Sequence, residues 1–274
     1  MTRAAVIQMT SGYRVEENLQ VAEELLTQAC EQGAALALLP ENFNFFGMND
    51  ADKLAAAEAW GNGPTQVWLK SVARRLGIWI VGGTMLMKTD APDGRVANAM
   101  LVVDAQGECV ARYDKIHLFD VDVPNKPGEQ YRESRFVVPG KSVVTVDTPI
   151  GLMGLSVCYD VRFPELYRQL SAQGVQVLVV PAAFTAPTGR AHWELLLKAR
   201  AVENLSYLLA AAQSGLHPNG RETYGDSLII DPWGRVLGRR ARGAGVVLAD
   251  IDLAAQQELR DHFPVLRNRV LNKG

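Results

Sequence analysis

The sequence predicts an α/β fold in which a mixed sheet, or two sheets, is covered by helices. Three observations carry this. Short apolar runs of strand length alternate with stretches whose apolar residues recur at helical spacing. Turn sequences such as Asp104-Ala-Gln-Gly107 and Asp231-Pro-Trp-Gly234 break that alternation with hairpins. The 274 residues are 48% hydrophobic, ample for one large core, and no Ser/Pro-rich linker divides them. One domain over 1–274 is expected.

In chain order, residues 3–9 read as a short strand. Residues 15–32 carry Leu19, Val21, Ala22, Leu25, Leu26 and Ala29 at helical spacing and stop at Gly33. The run 34–39 suits a buried strand, so the chain opens with a parallel β-α-β unit. A helix over 64–75 with Gly77 as its stop and a strand over 78–83 form a second unit. Residues 97–103 and 109–113 make a hairpin. The stretch 120–140 is polar and rich in Pro and Gly, and reads as a long loop of the kind that carries function. Strands follow over 150–157, 175–180 and 205–213, with helices from Pro164 and over 189–204 between them. A hairpin (227–230 with 235–238), a last strand (244–251) and a helical tail complete the chain. The two halves hint at internal symmetry.

A net charge of −2 gives no electrostatic case for nucleic acid or an acidic membrane. No apolar run reaches the length of a membrane span, and the first residues are too short a run for a signal peptide. Three cysteines without a C-x-x-C pair argue for a reducing compartment. A cytoplasmic protein is expected. The histidines show no metal-ligand spacing with each other or with the cysteines.

Three reactive residue types fall at the ends of three expected strands. Glu41 follows the apolar run ending Leu38-Leu39-Pro40, where a carboxylate could act as an acid or base. Lys115 follows the hairpin strand ending at Tyr113, and a fixed cation there could stabilise an oxyanion. Cys158 sits between an apolar strand and the helix start Pro164-Glu165, a place for a nucleophile. Taken singly, each is better explained blandly, as a turn carboxylate, a surface lysine and a buried inert thiol. Taken together they supply a thiol, a base and a cationic stabiliser. Cys158 with His192 could also be read as a thiol-protease pair, but no signature of that class surrounds the cysteine.

These segments resemble the signatures of the carbon–nitrogen hydrolase, or nitrilase, superfamily. The matching pieces are Leu38-Leu-Pro-Glu41-Asn, Tyr113-Asp-Lys115-Ile-His-Leu-Phe-Asp and Gly154-Leu-Ser-Val-Cys158-Tyr-Asp-Val-Arg-Phe-Pro-Glu-Leu, with Ala5-Val-Ile-Gln-Met and Tyr224-Gly-Asp-Ser-Leu-Ile-Ile-Asp-Pro-Trp-Gly234 at either end. The resemblance implies a four-layer α-β-β-α sandwich that dimerises, or assembles further, through helices. It implies a triad of Glu41 as general base, Lys115 in the oxyanion hole with the backbone N–H of Tyr159, and Cys158 as nucleophile. Glu133, in the long loop, matches a second carboxylate typical of the family. No metal or cofactor is implied. A carboxylate beside a cysteine and a second carboxylate should have a raised proton affinity, which would suit Glu41 as base and acid.

Within the family, Cys158-Tyr-Asp-Val-Arg-Phe-Pro-Glu-Leu resembles the Nit-type amidases rather than nitrilases proper, which carry Trp-Glu after the cysteine. Two such groups act on α-ketoglutaramate or on deaminated glutathione, and the segments 183–194 and 214–227 are nearer the second. Arg190 stands where that group carries proline. The expected partner is therefore a small carboxylate-bearing amide. Tyr159, Arg162, Phe184 and Thr185 are expected to line the acyl pocket, with Arg162 receiving a carboxylate through its planar fork. Pairing of Arg162 with Glu165 is the structural alternative. A rival of another class is a silent binding module of the same fold, against which the intact Glu41, Lys115 and Cys158 argue.

Overall fold

The computed structural model describes residues 1–123 and 130–271. Strand β1 (Thr2–Gln8), helix α1 (Val15–Glu31) and strand β2 (Leu36–Leu38) form the opening unit, followed by α2 (Asp50–Ala55), α3 (Pro64–Leu76) and β3 (Trp79–Val81). The chain continues through β4 (Met85–Met87), β5 (Ala97–Val103), β6 (Cys109–Asp114), β7 (Asp120–Asp122) and β8 (Gln130–Arg132). Its second half runs through β9 (Thr145–Thr148), β10 (Gly151–Leu155), α4 (Pro164–Ala172), β11 (Val177–Val179), α5 (Ala186–Asn204) and β12 (Tyr207–Ala210). It closes with β13 (Ser214–Leu216), β14 (Glu222–Tyr224), β15 (Ser227–Ile230), β16 (Val236–Arg240), β17 (Gly245–Ile251) and α6 (Leu253–His262).

Two large sheets result, one in the order β17-β1-β2-β3-β5-β4 with β6 on β5, the other in the order β16-β15-β12-β11-β10-β9, beside the two-stranded pairs β13-β14 and β7-β8. Each large sheet has three parallel central strands, β1-β2-β3 and β10-β11-β12, followed by an antiparallel partner, β5 or β15. The internal symmetry hinted at by the sequence is thus present in the strand order.

Period-2 alternation explains the layering. From β1, Ala4 and Val6 join one core cluster while Ala5 and Ile7 join another; Leu36 and Leu38 of β2 divide from Ala37 in the same way. The first cluster also holds the side chains of β10, β11, β12 and β15, so the sheets pack face to face. The second holds Leu25 and Leu26 of α1 and Leu69 and Val72 of α3. Leu166 and Leu170 of α4 and Trp193 and Leu197 of α5 cover the far side of the second sheet. The layers are α-β-β-α. Because both faces of the central strands are buried, they read as continuous apolar runs.

Three stretches differ from expectation. Helix α5 begins at Ala186, three residues before 189, with Pro187 in its first turn. Arg190, on that helix, is exposed. The stretch 120–140 is not a plain loop, since β7 and β8 pair antiparallel and a 3-10 turn follows over Glu133–Arg135; residues 124–129 lie outside the described part. The strand expected over 150–157 ends at Leu155, leaving Ser156 and Val157 to enter a tight turn.

Candidate active site

Strand carboxyl ends carry three of the reactive groups, two of them on parallel strands, as open α/β sheets favour. Glu41 lies just beyond β2, Lys115 directly follows β6, and Cys158 lies just beyond β10. Glu133 comes from the 3-10 turn after β8. All four line one cavity of about 420 Å³.

Cys158 is held in a sharp strand-to-helix turn with φ of 50°, a region that non-glycine residues seldom enter. The turn is pinned from several sides. The Cys158 N–H donates to the Pro181 carbonyl at 2.9 Å. The Asp160 carboxylate, fully buried, accepts the Val157 N–H at 2.8 Å and the Tyr113 hydroxyl at 2.7 Å. Its other oxygen accepts the His117 backbone N–H at 2.9 Å and lies 2.7 Å from His117 Nδ1. Asp160 thereby ties the cysteine turn to both flanks of Lys115.

Lys115 is 2% exposed, and its ammonium donates to Glu41 Oε1 at 3.0 Å and to Glu133 Oε2 at 2.8 Å. Burial opposes its charge, but Glu133 and Glu41 outweigh burial and hold it protonated well above the usual lysine range. Burial also pushes Glu41 upward. The charge of Lys115, hydrogen bonds from the Cys158 thiol and Lys115, and the charge of Arg221 overcome that, so Glu41 lies below the ordinary carboxylate value. This corrects the raised proton affinity expected from the sequence: a buried ammonium in contact outweighs the neighbouring carboxylate. Burial and the Glu41 charge together push the Cys158 thiol well above its ordinary value, despite Lys115. The resting site therefore holds a thiol, a carboxylate and an ammonium.

The Ala183 N–H donates to Glu41 Oε2 at 2.8 Å, fixing the carboxylate from the second sheet. The carbon-nitrogen hydrolase family profile matches residues 3–261. The chain belongs to the carbon-nitrogen hydrolase family. It is similar to a deaminated glutathione amidase of Synechocystis sp., at 45% identity over 97% of each chain. It is also similar to the crystal structure of the Caenorhabditis elegans NitFhit protein, with a TM-score of 0.89 and 39% identity, covering 98% of this chain but 65% of that longer one. A third likeness is to the amidase from Nesterenkonia sp. AN1 with acrylamide added at its active-site cysteine, with a TM-score of 0.77 and 29% identity over 98% of this chain and 99% of that one.

The remaining expected pocket residues divide. In this carbon-nitrogen hydrolase Tyr159, Phe184 and Thr185 line the cavity. Arg162 does not, and this corrects its assignment. Its guanidinium lies 5.8 Å from the Tyr159 ring centroid and 5.3 Å from that of Phe184, with one nitrogen 3.3 Å from His192 Nδ1. Arg162 packs against the aromatic wall, and His192, not Glu165, is its partner. Among the described residues, no cluster of His, Cys, Asp or Glu has the arrangement to hold a metal ion.

Two site residues escaped the sequence reading. Asn98 of β5 donates through Nδ2 to Glu41 at 3.1 Å and to Glu133 at 3.2 Å, clamping the two carboxylates around Lys115. A polar residue inside the apolar run 97–103 was the available signal. Arg221 lines the same cavity. Nothing in the turn sequence Asn219-Gly-Arg221 marks it.

Proposed function

We propose that the chain is an amidase that hydrolyses a small carboxylate-bearing amide, with deaminated glutathione as its substrate. The observation that carries this is the buried Lys115 ammonium shared by Glu41 and Glu133 beside the Cys158 thiol. The likeness to deaminated glutathione amidases over nearly the whole chain supports the substrate. Cys158 is the nucleophile, Glu41 the general base, and Lys115 with the backbone N–H of Tyr159 the oxyanion stabiliser. Glu133 keeps Lys115 charged and in place.

The steps follow from the protonation states. With thiol and carboxylate both at rest, the sulfur attacks the amide carbonyl as its proton passes to Glu41. The tetrahedral oxyanion forms beside Lys115, already charged and dry, so little reorganisation opposes it. Glu41 returns the proton to the departing nitrogen, the C–N bond breaks, and a thioester remains. Glu41 then takes a proton from water, which attacks the thioester; return of the proton to sulfur releases the acid.

The full chain forms one domain in this reading and acts in the cytoplasm, where three unpaired cysteines stay reduced. It works as a homodimer joined through helices. The exposed Leu195 and Val202 on the outer face of α5 support that arrangement.

The test offers deaminated glutathione and α-ketoglutaramate side by side, with Cys158→Ala as control. Turnover of the first, lost in the variant, is the expected outcome. Preference for α-ketoglutaramate would make the protein an ω-amidase, and failure to turn over any amide would favour a silent binding module.

A further inference from the structure

Arg221 carries a feature that the triad leaves unused. Its guanidinium carbon lies 5.4 Å from the Phe46 ring centroid and 4.8 Å from that of Tyr131, between two residues of the cavity wall. One terminal nitrogen donates to the Ala183 carbonyl. The turn that bears it is fixed, because Asn219 accepts the Arg221 N–H at 3.0 Å and donates to the Gly47 carbonyl at 2.8 Å. Its Nε is buried and has no hydrogen-bond partner, and no carboxylate pairs with the guanidinium among the described residues.

A buried guanidinium N–H without a partner is costly, and one that a native fold keeps calls for an explanation such as a ligand that completes it. Placement names the ligand. Ala183 accepts from Arg221 through its carbonyl and donates to Glu41 through its N–H, so a single residue links Arg221 to the Glu41 carboxylate. A planar fork held against aromatic faces suits a planar anion. Arg162 is engaged by Tyr159, Phe184 and His192, and Arg132, which also lines the cavity, already donates to Asp122 and to the Val121 and Tyr131 carbonyls.

We propose that Arg221 is the receptor for the carboxylate on the acyl side of the substrate, the residue that selects acids over neutral amides. The proposal rests on the amidase reading for the word substrate, but its test does not. The carboxylate would take the free Nε and a neighbouring guanidinium N–H in a forked pair, swinging no part of the wall and leaving the carbonyl to the cysteine.

The experiment follows alkylation of Cys158 by iodoacetamide in the intact protein and its protection by 2-oxoglutarate, with the neutral dimethyl ester as comparison. In wild type the diacid should protect at lower concentration than the diester. In Arg221→Met the half-protecting concentration of the diacid should rise about 10- to 100-fold, the factor of a lost charge-assisted hydrogen bond, while that of the diester moves less than about twofold. Arg221→Lys should recover part of the difference, since charge remains without the fork. Equal loss for diacid and diester would mark Arg221 as a structural residue and overturn the proposal. Unchanged diacid protection in Arg221→Met, or none in wild type, would overturn it as well. Turnover assays on the same preparations separate the two readings: loss of the amidase reading leaves the protection result standing.

Discussion

At the scale of single residues, protonation decides how the proposed nucleophile would work. Glu41 lies below the ordinary carboxylate range, and Cys158 and Lys115 lie well above their ordinary values. The reactive form, with carboxylate ionised and thiol neutral, is therefore lost on the acid side only when pH falls below the usual carboxylate value. On the alkaline side it survives beyond the usual thiol value. A plot of kcat/KM against pH should be flat from about pH 6 to about pH 9, without the rise near 8.5 of a free thiol. Such a rise would show that a standing thiolate does the chemistry. Glu41→Gln leaves the thiol proton without an acceptor and should lower kcat/KM about 10²- to 10⁴-fold in the same assay. Asn98→Asp tests the clamp from the other side. A third carboxylate beside Glu41 disfavours its ionised form, so the acid limb should move to higher pH. An acid limb that stays in place would show that Asn98 acts only through packing.

At the scale of elements, the site depends on turns that the strands hand on to it. Gly83, just beyond β3, has φ of +32°, and a Cβ there would overlap the Pro40 carbonyl under the Glu41 turn. Gly83→Ala must push that turn away from Lys115, and a loss of kcat larger than the loss of thermal stability is the expected signature. Asp160 does the same for the cysteine turn. Asp160→Ala would strand the Val157 and His117 N–H groups and the Tyr113 hydroxyl, costing about 2–5 kcal/mol in urea denaturation. These turns also mark where the sequence was legible. Glu41 and Cys158 could be singled out because each follows an apolar run whose length betrays a buried strand, and Lys115 because a turn sequence marks the hairpin whose second strand it follows. The carboxylate clamp and Arg221 could not, because their partners lie 57 and 38 residues away and only the fold brings them together. Arg162 differs from expectation for a related reason: adjacency to Cys158 in sequence does not decide whether its guanidinium reaches the cavity. The short strands β4, β9, β13 and β14 were missed because three or four residues carry too little periodicity to read.

At the scale of the whole molecule, the two-sheet core and the outer helices ask different things of the sequence. The core was readable because every central strand is buried on both faces, so hydrophobicity alone reports it. The outer face of α5 is less simple. Its inner side packs Trp193, Leu197 and Ala201 into the core, as an amphipathic helix should. Its outer side nevertheless leaves Leu195 70% and Val202 43% exposed. Close to Val202 stands Gly234, and its neighbour Trp233, half exposed, meets Phe263 edge-on at 5.6 Å. Apolar side chains gathered this way are more than the scattered exposure normal for a monomer, and a self-complementary patch on one helix suits a two-fold contact. Light scattering after size exclusion should therefore give twice the 29.9 kDa chain mass. Leu195→Asp should shift the protein towards monomer, because a charge would be buried without a partner at the joint. Since α5 begins directly after the pocket residue Thr185 and runs outward to that face, the dissociated form should also lose activity and recover it at higher protein concentration. A wild-type monomer with full activity would remove the dimer from this account and leave the site as it stands.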